Sequence, residues 1–334
     1  MKKRPKILVV GSFVMDMIVG TNRFPASGET VLGRSFHMAP GGKGANQAIQ
    51  AARLGADVTM VGKVGNDDFG KRLMESCESS GIHTEYILID PLVSSAVGNV
   101  QLEESPSGTK NRIIVVPGTN MEIKPEEMNF LGDIIDQYDM VMLQLEIPME
   151  INELVAGHAF RKNVPVMLNP APSAPLSEAL LSRLAYISPN EHEAADLTGI
   201  AIRKEGKNVR QDDLKAAVAA LLRTGAKNAV ITLGNAGAVV ADPGHFAYEP
   251  CIDVVKAKDP TAAGDSFVAA FCVGICAGLD QKQALHFANY AATLTVAKLG
   301  AQPSLPTLDE VVGLMRRVDE SEFDFTLLDC LKKM

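Results

Sequence analysis

Asp265 ends the run Asp259-Pro-Thr-Ala-Ala-Gly-Asp265, and the apolar stretch Ser266 to Gly278 follows at once. That stretch is long enough for roughly three to four helical turns. It is hydrophobic on nearly every side and stops at glycine, the pattern of a buried helix with a glycine C-cap. The residues before it are small, so a bulky ligand can come close to their backbone. Pro260 fixes a bend, and Gly264 permits torsions closed to other residues. A small-residue turn entering a helix exposes unpaired N–H groups, which attract phosphate. Asp265 lies in the first turn, where a carboxylate can accept a proton from a substrate hydroxyl. A plain N-terminal acid favoured by the helix dipole fits the same position.

Two glycine-rich turns add donors. In Gly41-Gly-Lys-Gly-Ala-Asn46 the glycines let a ligand approach the backbone, and Lys43 and Asn46 offer donors to hydroxyls or a phosphate. It is not a Walker A loop, because glycine follows Lys43 where serine or threonine is required. Thr232-Leu-Gly-Asn-Ala-Gly237 follows a buried apolar run, the place where α/β proteins bind ligands, although a hairpin turn has the same composition. Asp16 and Glu146 each stand just past a predicted strand, where an acid either grips vicinal hydroxyls or serves a turn. Asn190 and Glu193 form N-x-x-E at a strand–helix junction. Glu193 suits a magnesium ion held through water, and Asn190 suits phosphate or an N-cap.

The elements that must position these residues alternate. Lys6–Val10 reads as a buried strand ending at Gly11 and Ser12. Further strands are predicted at 58–64, 140–145, 164–169, 185–188 and 229–232, with a meander at 238–241 and 247–250. Helices are predicted at 45–54, 69–80, 150–160, 177–184, 191–198, 211–224, 281–299 and 308–318. This rhythm implies an α/β fold with a mostly parallel sheet covered on both faces. Residues 17–40 and 95–116 fall outside it as short strand pieces, the second with a hairpin turn at 105–108. They imply a small sheet projecting from one domain spanning 1–334, suited to act as a lid and to make dimer contacts.

Charge and cysteine usage narrow the class. Of 334 residues 46% are hydrophobic, enough for a sizeable core. The 32 basic and 40 acidic side chains give a net charge of −8 and are scattered, so nothing points to nucleic acid. Five cysteines show neither a disulfide framework nor a zinc pattern. Lys2-Lys3-Arg4 before Ile7 imitates a signal peptide, but Gly11, Ser12 and Asp16 interrupt the apolar run. No stretch is apolar enough to span a membrane, and the cytoplasm is the expected location.

In their order, Gly41–Asn46, Gln144-Leu-Glu146, Asn169-Pro-Ala-Pro172, Asn190-x-x-Glu193, Asp259–Asp265 and Gly300-Ala-Gln-Pro-Ser304 resemble the ribokinases of the PfkB carbohydrate kinase family over almost the whole chain. The resemblance implies a ribokinase-like three-layer α/β/α sandwich and an ATP-dependent kinase acting on the primary hydroxyl of ribose. Asp265 would be the base, with the amides of Ala262, Ala263 and Gly264 as anion hole. Sugar contacts would come from Asp16, Gly42, Lys43, Asn46 and Glu146. ATP contacts would come from Asn190, Thr232, Gly234, Gly237, Gly264 and Asn289. Potassium is implied at Asp259, Thr261, Thr295, Lys298, Gly300 and Ser304, mostly through carbonyls, and magnesium would arrive with ATP near Glu193. The projecting sheet would pair with its twin in a homodimer.

One position departs from the family. Val14 stands where ribokinases carry an asparagine that bonds ribose, and an apolar side chain there also suits a deoxyribokinase or another furanose or nucleoside kinase. The charged tail 319–334 has no assigned role. A non-catalytic sugar-binding regulator would not need Asp265 with its anion hole, and a Rossmann dehydrogenase would need a G-x-G-x-x-G that is absent after the first strand.

Overall fold

Ile7 and Val9 point to one side of the first strand and Leu8 and Val10 to the other, and all four are fully buried. A strand buried on both faces belongs at the centre of a covered sheet. The structure, a computed structural model, describes residues 3–105, 108–318 and 323–332, and no side chains at 104–109.

Strand β1 (Lys6–Val10) leads to β2 (Val14–Thr21), β3 (Ser35–Gly41), α1 (Lys43–Arg53), β4 (Asp57–Gly65), α2 (Asp68–Ser79) and β5 (His83–Asp90). The hairpin of β6 (Val97–Ser105) and β7 (Gly108–Val116) follows. Short turns and α3 (Leu131–Ile134) then reach β8 (Met140–Gln144), α4 (Met149–Arg161), β9 (Val166–Asn169), α5 (Glu178–Leu181) and β10 (Tyr186–Ile187). Next come α6 (Glu191–Thr198), the two-residue strands β11 (Lys204–Glu205) and β12 (Asn208–Val209), and α7 (Gln211–Arg223). The meander β13 (Asn228–Thr232), β14 (Ala238–Ala241) and β15 (Phe246–Glu249) precedes α8 (Ala263–Ala277), α9 (Gln281–Val296) and α10 (Leu308–Val318).

The main sheet has the order β15-β14-β13-β10-β9-β8-β1-β4-β5 and is parallel except for the antiparallel pairs β13–β14 and β14–β15. One core cluster joins Ile7 and Val9 to α1, α8 and α9, and a second joins Leu8 and Val10 to α4 and α7. The architecture is therefore three layers, α/β/α. A separate four-stranded sheet has the order β3-β2-β6-β7. It begins at Val14, not at 17, so Asp16 lies within β2 and not in a loop after β1.

Helix α8 is buried almost all round, as its composition requires, and Gly278 closes it in the left-handed region at φ 94. Phe267 and Phe271 are 3% and 0% exposed, and removing either ring would cost about 3–5 kcal/mol. The helix starts at Ala263, three residues before the predicted start. Helix α9 stops at Val296 and not at 299, because the Lys258 and Asp259 N–H groups both take the Val296 carbonyl. The predicted helix at 177–184 is helical only over α5. Strand β5 and the β11–β12 pair were not predicted. The turn at 105–108 and the tail at 319–334 lie partly outside the described residues.

Candidate active site

The parallel strands deliver polar residues to one edge. Ser12 follows β1, Glu146 follows β8, Asn169 ends β9, Asn190 follows β10 and Thr232 ends β13. The carboxyl edge of a parallel sheet is where α/β folds bind ligands.

Asp265 is 7% exposed and accepts two amides from α1: Asn46 Nδ2 to Oδ2 at 2.9 Å and Gln47 Nε2 to Oδ1 at 3.1 Å. The turn before α8 holds Ala262 in the left-handed region at φ 60, which costs a non-glycine residue about 1–2 kcal/mol. Its amides are not equivalent. The Ala263 N–H donates to the Pro260 carbonyl at 3.2 Å, whereas those of Ala262, Gly264 and Asp265 meet no acceptor among the described residues. Of the expected trio, Ala263 thus has its N–H engaged within the turn, whereas Ala262 and Gly264, with neighbouring Asp265, do not among the described residues. A Cβ built on Gly264 would meet nothing within 4 Å outside the turn itself, and Ala262, Gly264 and Asp265 all line a cleft.

Asp16 sits between two glycines. A Cβ on Gly98 of β6 would fall 2.2 Å from its Oδ1, and one on Gly41 of β3 would fall 2.7 Å from its Oδ2. The registers place both glycines beside β2, so only residues without side chains leave room for this carboxylate. No donor reaches it among the described residues. Burial, with the Glu146 charge adding, pushes its pKa up to about 6. An unpartnered acceptor of this kind is ready for a ligand's hydroxyls.

Glu146 does capping work. Gly42, the N-cap of α1, has φ 92 and no side chain to offer, and a Cβ there would fall 2.8 Å from Val14 N. Glu146 Oε2 instead accepts from Lys43 N at 2.9 Å and from Ser12 Oγ at 2.5 Å. Burial opposes the Lys43 charge, but the carboxylates of Asp265, Glu146 and Glu193 outweigh it and hold the group above the ordinary lysine value.

A cleft of about 230 Å³ brings Lys43, Asn190, Glu193, Thr232, Gly264 and Asp265 together. Asn190 and Glu193 cap α6 reciprocally: Asn190 Oδ1 accepts from His192 N and Glu193 N, and Glu193 Oε2 accepts from Asn190 N at 2.8 Å. Burial raises Glu193 above the usual carboxylate value against the lowering effects of the Asn190 N–H and Lys43. Gly234 and Gly237 have φ of 58 and 101, and a Cβ on Gly237 would strike Glu249 O at 2.0 Å, so that turn requires glycine. Asn289 is buried on α9, donates to Pro250 O at 3.4 Å and does not line this cleft. Two larger depressions, about 430 and 570 Å³, touch none of these residues.

Asp259 and Gly300 are joined. Asp259 Oδ2 accepts from Gly300 N at 2.9 Å, and Oδ1 accepts from Thr261 N and Oγ1. The other side chains implied for potassium have partners elsewhere: the Thr295 hydroxyl at Ser266 and Ala291, the Lys298 ammonium at Glu310, and the Ser304 hydroxyl at Ala301. A cation here would therefore face main-chain carbonyls. Among the described residues no group of three or more His, Cys, Asp or Glu is arranged to hold a metal ion.

Five contributors went unassigned in the sequence: Ser12, Gln47, Gly98, Gln144 and Asn169. Gln47 directly follows the Gly41–Asn46 run, and Gln144 and Asn169 open motifs of their own, so their positions were visible but not their contacts. Nothing in the sequence marks Gly98.

A helix N-terminus with free amides, a fixed acid beside it and a lysine across an open cleft define a phosphoryl-transfer type of site. The family model described as "pfkB family carbohydrate kinase" matches residues 4–308. A ribokinase of Bacillus subtilis (strain 168) is 39% identical over 309 residues, covering 92% of this chain and 99% of the relative. A deoxyribokinase of Salmonella typhi is 31% identical over 305 residues, covering 91% and 96%. The solved structure of Arabidopsis thaliana ribokinase complexed with ribose and ATP superimposes with a TM-score of 0.86 at 32% identity, covering 97% of this chain and all of that one. The chain belongs to the PfkB family of carbohydrate kinases.

Proposed function

We propose that this chain transfers the γ-phosphoryl group of ATP to the primary hydroxyl of ribose. The observation that carries the reading is the Asp265 carboxylate, pinned by Asn46 and Gln47 beside free amides that line a cleft. Asp265 takes the hydroxyl proton as that oxygen bonds to phosphorus and the bond to the ADP oxygen breaks. The amides of Ala262, Gly264 and Asp265 and the Lys43 ammonium neutralise the phosphoryl charge. Positioning and charge dominate such a loose transition state. The ribokinase solved with ribose and ATP supports this assignment by its likeness over the whole chain.

The remaining roles follow. Asp16, in its glycine cradle, accepts two sugar hydroxyls, with Gly42 and Asn46 beside it. Asn190, Thr232, Gly234 and Gly237 meet the nucleotide, whereas Asn289, buried outside the cleft, carries only the role the resemblance implies. Glu193, a half-buried carboxylate facing the cleft, would hold a magnesium ion through water, and that ion would neutralise phosphate charge. Main-chain carbonyls near Asp259 and Gly300 would hold a potassium ion. The small sheet covers the sugar as a lid, and its exposed Phe36, Met38, Ile113 and Ile114 form the contact of a homodimer. No helix of the described residues is long and apolar enough to cross a membrane, and we place the enzyme in the cytoplasm.

One observation favours a second reading, 2-deoxyribose. Val14 is 6% exposed and lies two residues before Asp16 on the same face of β2, so an apolar side chain borders the hydroxyl-gripping acid. A missing hydrogen bond to a buried hydroxyl costs roughly 1–3 kcal/mol. ADP release measured with ribose, 2-deoxyribose, fructose and nucleosides, with and without potassium, decides between them. A preference for ribose supports the first reading, a preference for 2-deoxyribose the second, and no sugar-dependent release sinks both.

A further inference from the structure

Gln47 is fully buried, and its amide is engaged at both ends. Nε2 donates to Asp265 Oδ1 at 3.1 Å and to Asn169 Oδ1 at 3.2 Å, while Oε1 accepts from Gln144 Nε2 at 2.7 Å. The arrangement has a single sense. Turning the amide over would set its oxygen against two acceptors and its NH2 against a donor. Its partners are fixed as well. Asn169 Nδ2 donates to Ser188 O at 2.9 Å, and Gln144 Oε1 lies where a Cβ on Gly11 would come within 2.1 Å. That Gln144 oxygen has no hydrogen-bond partner, so the row of amides retains an uncompensated buried polar atom. Apolar side chains would fill the same volume without that cost.

We propose that Gln47, backed by Gln144 and Asn169, is a positioning residue for Asp265. It fixes Oδ1 so that the carboxylate meets the substrate hydroxyl in one orientation. The inference rests on the kinase reading above. Asn46 holds the other oxygen alone when Gln47 is removed, and a carboxylate tied at one oxygen can rotate.

The test compares Gln47→Leu and Gln47→Met, both of which fill the volume without a donor or a charge, each alone and combined with Asp265→Asn. Each single variant should lose roughly 10- to 100-fold in kcat, with the KM values for sugar and ATP changing less than about 3-fold. In the Asp265→Asn background the same substitution should cost less than about 2-fold, because the group it positions is gone. Wild-type kcat in both variants, or an equal loss in both backgrounds, overturns the proposal. If the wild type shows no sugar-dependent ADP release, the kinase reading fails and takes this inference with it. A working wild type with unaffected variants removes this inference alone.

Discussion

Asn46 Nδ2 and Asp265 Oδ2 lie 2.9 Å apart although 219 residues separate them in the chain. That contact joins the start of α1 to the start of α8. The turn Gly41–Asn46 and the turn before Asp265 are thereby held side by side at one cleft.

The glycine cradle around Asp16 gives the first prediction. Gly98→Ala puts a methyl group 2.2 Å from Asp16 Oδ1 and must displace the carboxylate. The KM for the sugar should rise at least about 10-fold, with the KM for ATP little changed, as loss of a charged hydrogen-bonding group implies. An unaltered sugar KM in steady-state kinetics would remove Asp16 from the sugar site.

Asp16 also predicts a pH dependence. Its folded pKa, about 6, is raised above the ordinary 3.8, so the folded state favours the protonated acid. Stability from this group is fully present below pH 4 and is lost as pH rises through about 6. Asp16→Asn, which is never charged, should therefore gain stability over wild type between pH 4 and pH 7. The gain should be at most about 3 kcal/mol, given 1.36 kcal/mol per pKa unit. Thermal melts at the two pH values check this, and a constant difference in Tm would contradict it.

Gly264→Val tests the space over the amides. The new side chain meets no protein atom within 4 Å at its Cβ outside the turn itself, so Tm should hold within a few degrees. On the proposed reading it fills the place of the transferred phosphoryl group, and turnover should fall about 100-fold or more. Near-normal turnover would show that the phosphate docks elsewhere.

Asn190 has two assignments that separate experimentally. Asn190→Ala loses the cap of α6 and about 1 kcal/mol, whereas Asn190→Ser keeps a capping oxygen. If Asn190 also meets the nucleotide, both variants raise the KM for ATP, but only the alanine variant melts earlier. An unchanged ATP KM in both would leave Asn190 as a cap alone.

Much of the fold was legible because local rules agreed with the tertiary context. Helix α6 has its predicted bounds since Asn190 caps one end and Gly199, at φ 72, closes the other. Helix α10 matches its amphipathic run. Strand β5 was missed although its centre reads Tyr86-Ile87-Leu88-Ile89; it lies at the sheet edge with only Ile87 buried, and its ends are polar. The acids and donors of the site were recognisable by type and position. Their supports were not: Gln144 meets Gln47 across 97 residues, and the cradle glycine at 98 acquires meaning only when β6 pairs with β2. Capping by Glu146 of a helix 103 residues earlier was equally invisible.

Asp265 is the proposed base for the substrate hydroxyl. Asp265→Asn, assayed for ADP release with saturating sugar and ATP and for sugar binding by calorimetry, tests this role most directly. General-base loss should lower turnover by about 10²–10⁴-fold while the sugar still binds within a few-fold of wild-type affinity. Turnover within a few-fold of wild type would contradict the assignment of Asp265 as the base.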